Sequence, residues 1–552
     1  MSPTTNRALL CLLWGSALAV ALATRPLLPI VEARYVSVAW EMWTRGDFLV
    51  PYLNGEPYPH KPPLLFWLIH GGWWLFGVNA WWPRLVCPLV GLLCLGQTAL
   101  LARRLWPDQP EIARSAPWLL FGTLFFTFFY TLVQFDLLVT ACTLLGLLGL
   151  LQAAQGQHRG FAFFGLAIGL GVLAKGPVIL LHLFPAALLA PLWTSSGRSP
   201  RWFLGLFLAL LGGAVIALAW AIPAAYSGGE AYREAIFWKQ TAGRVVNSFA
   251  HRHPWWWYLP MLPLLLAPWV GWPSLWKRPE ASGLRHLFKP GRVVCFEKRR
   301  EHLPEASHRY PLAFLTTWLA PVFVGFSLVS GKQLKYLLPL LPGAILLFAA
   351  TLDSRKQLIT DSRAPAYYIG VTGLFFTLLP LAAPHLGLPR LATLPVWPGA
   401  LLILASMIGL RFWRPVALAP TIRGMTAASA LIIVLAHLGP IRALAPTYDV
   451  TEVAANIGRF QKAGVIVAHA GKYHGQFHFP GRLRRPLVVI PVSSIKTWAN
   501  QHPKAVIVVY RNRFSPPLPT EGALGAWDYR GRSQNLMLWR ASDLAKVLTN
   551  KR

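Results

Sequence analysis

Acidic residues are scarce in this sequence: 20 Asp and Glu stand against 52 Lys and Arg in 552 residues, a formal net charge of +32. Charge of either sign is itself thin, at 13% of the chain, about half of what an ordinary soluble domain carries. Cysteine is sparse too. Cys11, Cys87, Cys94, Cys142 and Cys295 share no paired spacing, and four of them lie in apolar stretches, which excludes a disulfide framework and a cysteine metal site. There is no D-x-D pair, no P-loop, no dinucleotide-binding glycine pattern and no zinc-ligand spacing. A soluble-type transferase holding Mg²⁺ and a nucleotide sugar, or an ATP-driven pump, would need one of these, so no cofactor and no metal are expected. The basic excess carries no basic helix or nucleic-acid recognition motif, so no nucleic-acid partner is expected either.

Apolar residues are abundant instead. They make up 55% of the chain, the mean hydropathy is +0.45, and 26 Trp suit aromatic belts at two membrane interfaces. Apolar segments centre near residues 16, 93, 125, 145, 167, 185, 213, 265, 320, 344, 376, 403 and 432, which predicts thirteen transmembrane helices. The first, Ala8 to Thr24, is followed by Arg25-Pro26-Leu27 rather than a small-residue cleavage site, so it reads as an uncleaved helix with its N-terminus inside. Leu64–Val78 is apolar but shorter than the roughly 20 residues that cross a bilayer, and it is read as interfacial or re-entrant.

The charges test that choice. With Leu64–Val78 not spanning, Arg103-Arg104, Arg114, Arg159, Arg198, Arg201, the stretch Lys277–Arg309, Arg355-Lys356, Arg411, Arg414 and Arg423 all fall in the cytoplasm. With it spanning, every later loop flips and the positive excess faces outward, against the positive-inside rule. The excess thus expresses topology and affinity for anionic membrane lipids. It follows that the loop after the first span, Asp136, the Lys175-Gly176-Pro177 turn, the loop Tyr226–Pro254 and the Gly331–Lys335 link share the outer face. Residues 1–440 read as a transmembrane domain whose outer loop, 25–82, carries juxtamembrane helices. Residues 441–552 change composition. A helix-like Val450–Ala463 leads into β-rich runs at Val465–Ala468, Leu487–Ile490, Ala505–Tyr510 and Leu536–Arg540, which predicts a small extracytoplasmic α/β domain.

Ionisable groups at membrane depth are costly and carry function by default. Asp136 opens an apolar run, where a carboxylate can also cap a helix. Lys175 ends an almost unbroken apolar helix, where a lysine can snorkel to the interface or contact a phosphate as a point charge. The first outer loop holds Glu32, Arg34, Glu41, Asp47 and Lys61. Glu41 and Asp47 read as a solvated helix face, Glu32, Arg34 and Lys61 as site residues. His251 reads as a surface-loop histidine and the Trp255–Trp257 run as an aromatic belt.

Set in order, Pro29-x-x-Glu32-x-Arg34-Tyr35, Tyr58-Pro59-His60-Lys61-Pro62-Pro63, Phe135-Asp136 and Ala174-Lys175-Gly176-Pro177 resemble the GT-C glycosyltransferases of the protein O-mannosyltransferase superfamily. Trp238–Pro260, Pro268-Trp269 and Lys332–Pro342 narrow the resemblance to the bacterial ArnT-like branch. The resemblance runs over about residues 1–440 and more loosely over the tail. It implies a polytopic α-helical GT-C fold in a bacterial inner membrane, with the site and the C-terminal α/β domain periplasmic. It implies transfer of a sugar, 4-amino-4-deoxy-L-arabinose in that branch, from undecaprenyl phosphate to lipid A phosphate. Another polyprenyl-phosphate sugar, or an acceptor in lipopolysaccharide core, another glycan or protein, stays open, as does a transporter of lipid-linked sugars. The matched positions imply Glu32 and Asp136 as catalytic or sugar-holding groups. Arg34, Lys61, Lys175 and Tyr336 would bind the donor phosphate, and Arg244, Arg252 and His253 the acceptor.

One position departs from the pattern. The branch reads Asp-Glu at the head of the loop motif, and this chain reads Val31-Glu32. A hydroxyl acceptor needs a base to become a nucleophile; a lipid phosphate is already anionic, so the loss of an acid there is awkward for protein O-glycosylation and less so for a phosphate acceptor.

The charge asymmetry generates a topology prediction. In a background without the native cysteines, single cysteines placed near Asn54, Asn247 and Asn500 react with impermeant reagents from outside, and one near Gly283 reacts only from the cytoplasm. Labelling of the Asn247 region from the cytoplasm would overturn the whole map.

Overall fold

The computed structural model describes residues 3–239, 252–276, 306–354, 363–412 and 417–549. The first ten helices are α1 (Pro3–Thr24), α2 (Val31–Arg45), α3 (Leu64–Phe76), α4 (Trp81–Leu105), α5 (Pro110–Gly122), α6 (Leu124–Phe129), α7 (Asp136–Ala154), α8 (Arg159–Lys175), α9 (Val178–Leu188) and α10 (Pro200–Ser227). Among the described residues, eight helices are long and apolar enough to cross a membrane. The other five of the thirteen predicted centres fall on shorter or interrupted helices: α5–α6, α8, α9, Tyr258–Leu265 and Trp397–Phe412. This is a multi-span membrane protein. Large apolar side chains such as Leu204, Phe207, Leu208 and Val215 lie exposed along α10, as they do where the surrounding solvent is lipid.

Sequence explains the tightest helix pair. A Cβ on Gly149 of α7 would lie 2.6 Å from the Gly160 carbonyl oxygen of α8, and one on Gly160 would lie 2.3 Å from that of Gly149. Small residues let the two backbones touch, which is how helices associate when lipid gives them no hydrophobic reason to. α8 then stops at Gly176, whose φ of +82° suits only glycine well, with Pro177 next. That stop leaves Lys175 as the last helical residue, level with the first residue of α7.

α3 is 13 residues long and so covers only about 20 Å, less than the ~30 Å of a bilayer core. It packs on α2 through a His70 ring nitrogen 2.8 Å from the Ala39 carbonyl. α2 itself is far more buried than an interfacial helix: Glu32, Tyr35, Val36, Ser37, Val38, Ala39, Trp40, Glu41 and Met42 are all covered.

What covers part of α2 is the 471–487 loop of a C-terminal domain built on a five-stranded sheet. In chain order after a short hairpin of β1 (Tyr52–Leu53) and β2 (Glu56–Pro57), its strands are β3 (Val467–Ala470), β4 (Val488–Ile490), β5 (Val506–Tyr510), β6 (Gly525–Tyr529) and β7 (Arg532–Arg540), arranged β4-β3-β5-β7-β6. β3 runs parallel to β4 and β5, while β7 is antiparallel to β5 and β6. The central strands VAHA and VIVVY are buried at every position, the pattern of strands covered on both faces. One face packs on the helix Thr451–Lys462, the other on Ile495–Gln501 and Ala541–Thr549.

Loop and sheet are joined by specific bonds. Trp40 Nε1 donates to the Leu483 carbonyl at 2.8 Å, and the Phe479 N–H donates to Ser37 Oγ at 3.0 Å. At the β1–β2 turn, Asn54 donates to the Leu487 carbonyl at 3.0 Å and accepts from its N–H at 2.8 Å. Asn54 and Gly55 both have positive φ, 58° and 87°, the residue pair that a two-residue hairpin favours. Asn54→Ala removes both bonds and strains the turn, and it is expected to loosen residues 483–487 by about 1–3 kcal/mol. Hydrogen exchange of that segment, unchanged in the variant, would show that other contacts carry the joint.

Candidate active site

Glu32 and Asp136, the two acids singled out above, are 1% and 2% exposed. An uncompensated buried carboxylate is strongly disfavoured, and each has a cation. Glu32 pairs with Arg25, whose Nη1 lies 2.5 Å from Oε2 and Nη2 3.3 Å from Oε1. It also accepts the Leu28 N–H at 2.9 Å and the Val133 N–H at 2.7 Å. Arg25 in turn donates to the Thr131 carbonyl at 2.5 Å. Four donors fill the roughly four lone-pair positions of a carboxylate, so Glu32 ties the start of α2 to the 131–133 turn. Arg34, two residues on, points elsewhere: its Nη2 lies 3.1 Å from His474 Nδ1.

Asp136 begins α7 but does not cap it; its Oδ1 accepts from Lys175 Nζ at 2.5 Å. Lys175 Nζ also sits 4.5 Å from the centre of the Tyr336 ring. Asp136 lies in the combined field of Lys175, Lys335 and Lys61. Lys335 reaches Gln134 Oε1 at 3.4 Å, and Lys61 lies 5.3 Å from the centre of the Phe135 ring. Tyr35 packs edge-on against the same ring at 4.8 Å. Burial pushes its hydroxyl pKa up, and the neighbouring Tyr58 and Asp136 push it further, so it remains a neutral donor. The structure thus gathers Lys61, Asp136, Lys175 and Tyr336 from separate stretches of sequence around the 133–136 turn, with Arg34 within electrostatic reach of Lys335 though its side chain bonds to His474.

Lys335 is the residue that the sequence reading passed over. It sits inside the Lys332–Pro342 motif beside a second lysine, and only the fold separates them: Lys332 is buried and donates to the His253 and Val329 carbonyls at 2.9 and 2.5 Å. That bond holds the 252–254 strand to the 330–332 link, reinforced by an Arg252–Gly331 bridge and the His253 N–H on the Ser330 carbonyl at 3.2 Å. The His253 ring stacks on Trp257 at 4.3 Å. Arg244, the third expected acceptor contact, and the stretch Lys277–Glu305 lie outside the described residues.

Glu41 corrects an expectation. It is 5% exposed rather than on a solvated face, because the Asn54 and Gly55 N–H groups donate to it. Burial pushes its carboxyl pKa up against those two bonds. Val31 is 37% exposed beside the buried Glu32.

A family model described as dolichyl-phosphate-mannose-protein mannosyltransferase matches residues 60–226. The crystal structure of ArnT from Cupriavidus metallidurans bound to undecaprenyl phosphate superposes with a TM-score of 0.72 at 19% identity, covering 97% of this chain and 98% of that one. Two curated relatives are named undecaprenyl phosphate-alpha-4-amino-4-deoxy-L-arabinose arabinosyl transferase. The one from Pseudomonas paraeruginosa is 32% identical over 64% of this chain and 60% of its own length. The one from Pseudomonas aeruginosa is 30% identical over 69% and 66%. The chain has the fold of ArnT and is similar in sequence to these transferases. It spans less than two thirds of the length of these two curated relatives.

Within the ArnT-like frame, the Arg25–Glu32 pair generates a stability prediction. Arg25→Leu or Glu32→Leu alone strands a buried charge and costs about 3–5 kcal/mol, whereas the double change is far milder. Thermal unfolding of the purified proteins in detergent reads this directly, and additive losses in the double variant would refute the pairing.

Proposed function

We propose that this protein transfers a sugar from undecaprenyl phosphate to a phosphate on lipid A, at the periplasmic face of a bacterial inner membrane, and that the sugar is 4-amino-4-deoxy-L-arabinose. The observation that carries the reading is the cationic cluster at the 133–136 turn, where Lys61, Lys175 and Lys335 surround one buried acid. The names of the two curated relatives, and the undecaprenyl phosphate bound in the Cupriavidus metallidurans structure, support undecaprenyl phosphate as the carrier of the donor sugar.

The chemistry is a displacement at the anomeric carbon. An oxygen of the acceptor phosphate forms the new C–O bond as the bond to the polyprenyl phosphate breaks. One phosphomonoester becomes a diester and one diester becomes a monoester, so charge balances and no proton has to move. That balance accounts for Val31: the position can do without an acid, because no base is needed. What the step does need is neutralisation of the charge growing on the departing phosphate, greatest in the transition state. Lys61, Lys175, Lys335 and Arg34 supply it, and Tyr35 and Tyr336 add hydroxyl donors. Asp136 aims Lys175 and is placed to meet an amino group on the sugar.

Glu32 takes a different part from the one its motif implies. With its acceptor positions filled by Arg25, Leu28 and Val133, it has no free lone pair for a substrate proton. It is a positioning residue that sets α2, and hence Arg34 and Tyr35, against the turn. Arg252 and His253 remain the proposed acceptor-side contacts, together with Arg244.

The assay is sugar transfer from purified polyprenyl-phosphate donor to lipid A in detergent. Lys61→Ala, Lys175→Ala and Lys335→Ala each lower transfer at least tenfold with expression intact, the equivalent of about 1.4 kcal/mol or more of transition-state stabilisation. Wild-type rates in all three would remove charge neutralisation from the mechanism. Val31→Asp changes turnover only a few-fold. A gain of the 10²–10⁴-fold size expected of a positioned base would show instead that a base is required and missing.

A further inference from the structure

A cavity separate from the 133–136 turn lies between the head of α2 and the C-terminal domain. It has a volume of about 350 Å³, and its walls include Ile30, Lys472, His474, Arg513, Arg530 and Arg532. No carboxylate lines it, and among the described residues no Asp or Glu pairs with Lys472, Arg513, Arg530 or Arg532. Four cations around one space, none with an acidic partner among the described residues, repel one another, an arrangement that an anion relieves.

The hydrogen-bonding atoms give the cavity the same polarity. Gln476 and Asn535 also line it, but their amide oxygens are occupied: Gln476 Oε1 accepts the His474 N–H at 3.2 Å and Asn535 Oδ1 accepts the Asn512 N–H at 3.1 Å. The walls therefore offer donors and few acceptors. His474, half-buried, has its pKa pushed down to about 4 by burial and then by the charges of Arg34, Lys472, Arg513 and Arg530. It stays neutral at pH 7, and its Nδ1 can accept from Arg34 at 3.1 Å. Through that contact the cavity adjoins the loop motif.

A second observation is independent of charge. Arg530 and Gly531 form the two-residue turn between β6 and β7, where Tyr529 pairs with Arg532. Arg530 has φ of +53°, a left-handed position at which Asn, Asp or Gly is strongly preferred. A residue held against its backbone preference, with its side chain in a cavity, points to function rather than folding.

We propose that this cavity seats a phosphate of the phosphorylated glycolipid acceptor, holding its head group against the start of α2. The inference rests on the transfer reading above and adds to it the residues that select the acceptor. Guanidinium groups suit this task because their fork matches the phosphate oxygens.

The test is direct binding to the purified full chain in detergent by isothermal titration calorimetry. The probes are bis-phosphorylated lipid A, the same lipid after phosphatase treatment, inorganic phosphate and undecaprenyl phosphate. The variants are Arg530→Asn, which keeps a residue suited to the left-handed turn, and Arg532→Gln. Wild type binds lipid A at least tenfold more tightly than its dephosphorylated form, both variants lose at least tenfold for lipid A, and undecaprenyl phosphate binding stays within twofold. Wild-type lipid A affinity in both variants, equal affinity for the dephosphorylated lipid, or inorganic phosphate binding as tightly as lipid A would each overturn the proposal. Phosphate-dependent binding that is lost in the variants, in a protein that transfers no sugar, would support the cavity and sink the transfer reading. Transfer with an unchanged acceptor KM in both variants would do the reverse.

Discussion

A carboxylate drawn into an apolar interior must find cations or N–H donors, and here that requirement fixes how the membrane bundle meets everything outside it. Arg25 with Glu32 is a buried pair and Lys175 with Asp136 a part-buried one, and each joins separate elements of the fold. The first locks the exit of α1 and the entry of α2 onto the turn at 131–133. The second locks the end of α8 onto the start of α7. Both pairs converge on the same short turn, so the residues between Thr131 and Asp136 become the point at which the outer loop, two helices and the 334–336 link are set relative to one another. The chemistry proposed above depends on this rigidity, since cations neutralise a developing charge only when they are already in place.

Much of this was legible in the sequence because membrane insertion imposes strong one-dimensional rules. Apolar length located the helices, and the side on which Lys and Arg accumulate decided that Leu64–Val78 does not span. Asp136 and Lys175 stood out because charge at membrane depth is rare. Their pairing did not stand out, since 39 residues separate them and only the close contact of α7 and α8 brings them level. Arg25 was visible only as the flank of the first span. Its partner lies seven residues away across a break between helices, where no helical spacing rule applies. Glu41 was misplaced for the converse reason: the amphipathic pattern of α2 marks a polar face, and that face is covered by the β1–β2 turn and the C-terminal domain, which the local pattern cannot anticipate.

The sheet shows the same division. β3, β5 and the buried half of β7 were recognisable as apolar runs, because strands buried on both faces read as continuous hydrophobic sequence, and β4 as a short apolar run although Val488 and Val489 are exposed. β6, with the sequence GAWDY, was not. It is an edge strand, mostly half-buried, and an edge needs no hydrophobic run. The turn after it, where Arg530 occupies a left-handed position, ran against every local preference.

The contact between Arg34 and His474 has a consequence for how such proteins diverge. Arg34 belongs to the loop motif and His474 to the C-terminal domain, 440 residues away, so this hydrogen bond, like those of Ser37, Trp40 and Asn54, crosses from the membrane portion into the tail. A chimera that joins this membrane portion to the tail of a relative would inherit a wall of the cationic cavity from one parent and its threshold from the other. The two portions are thus constrained to change together, and a tail exchanged alone would carry with it most of the lining of that cavity.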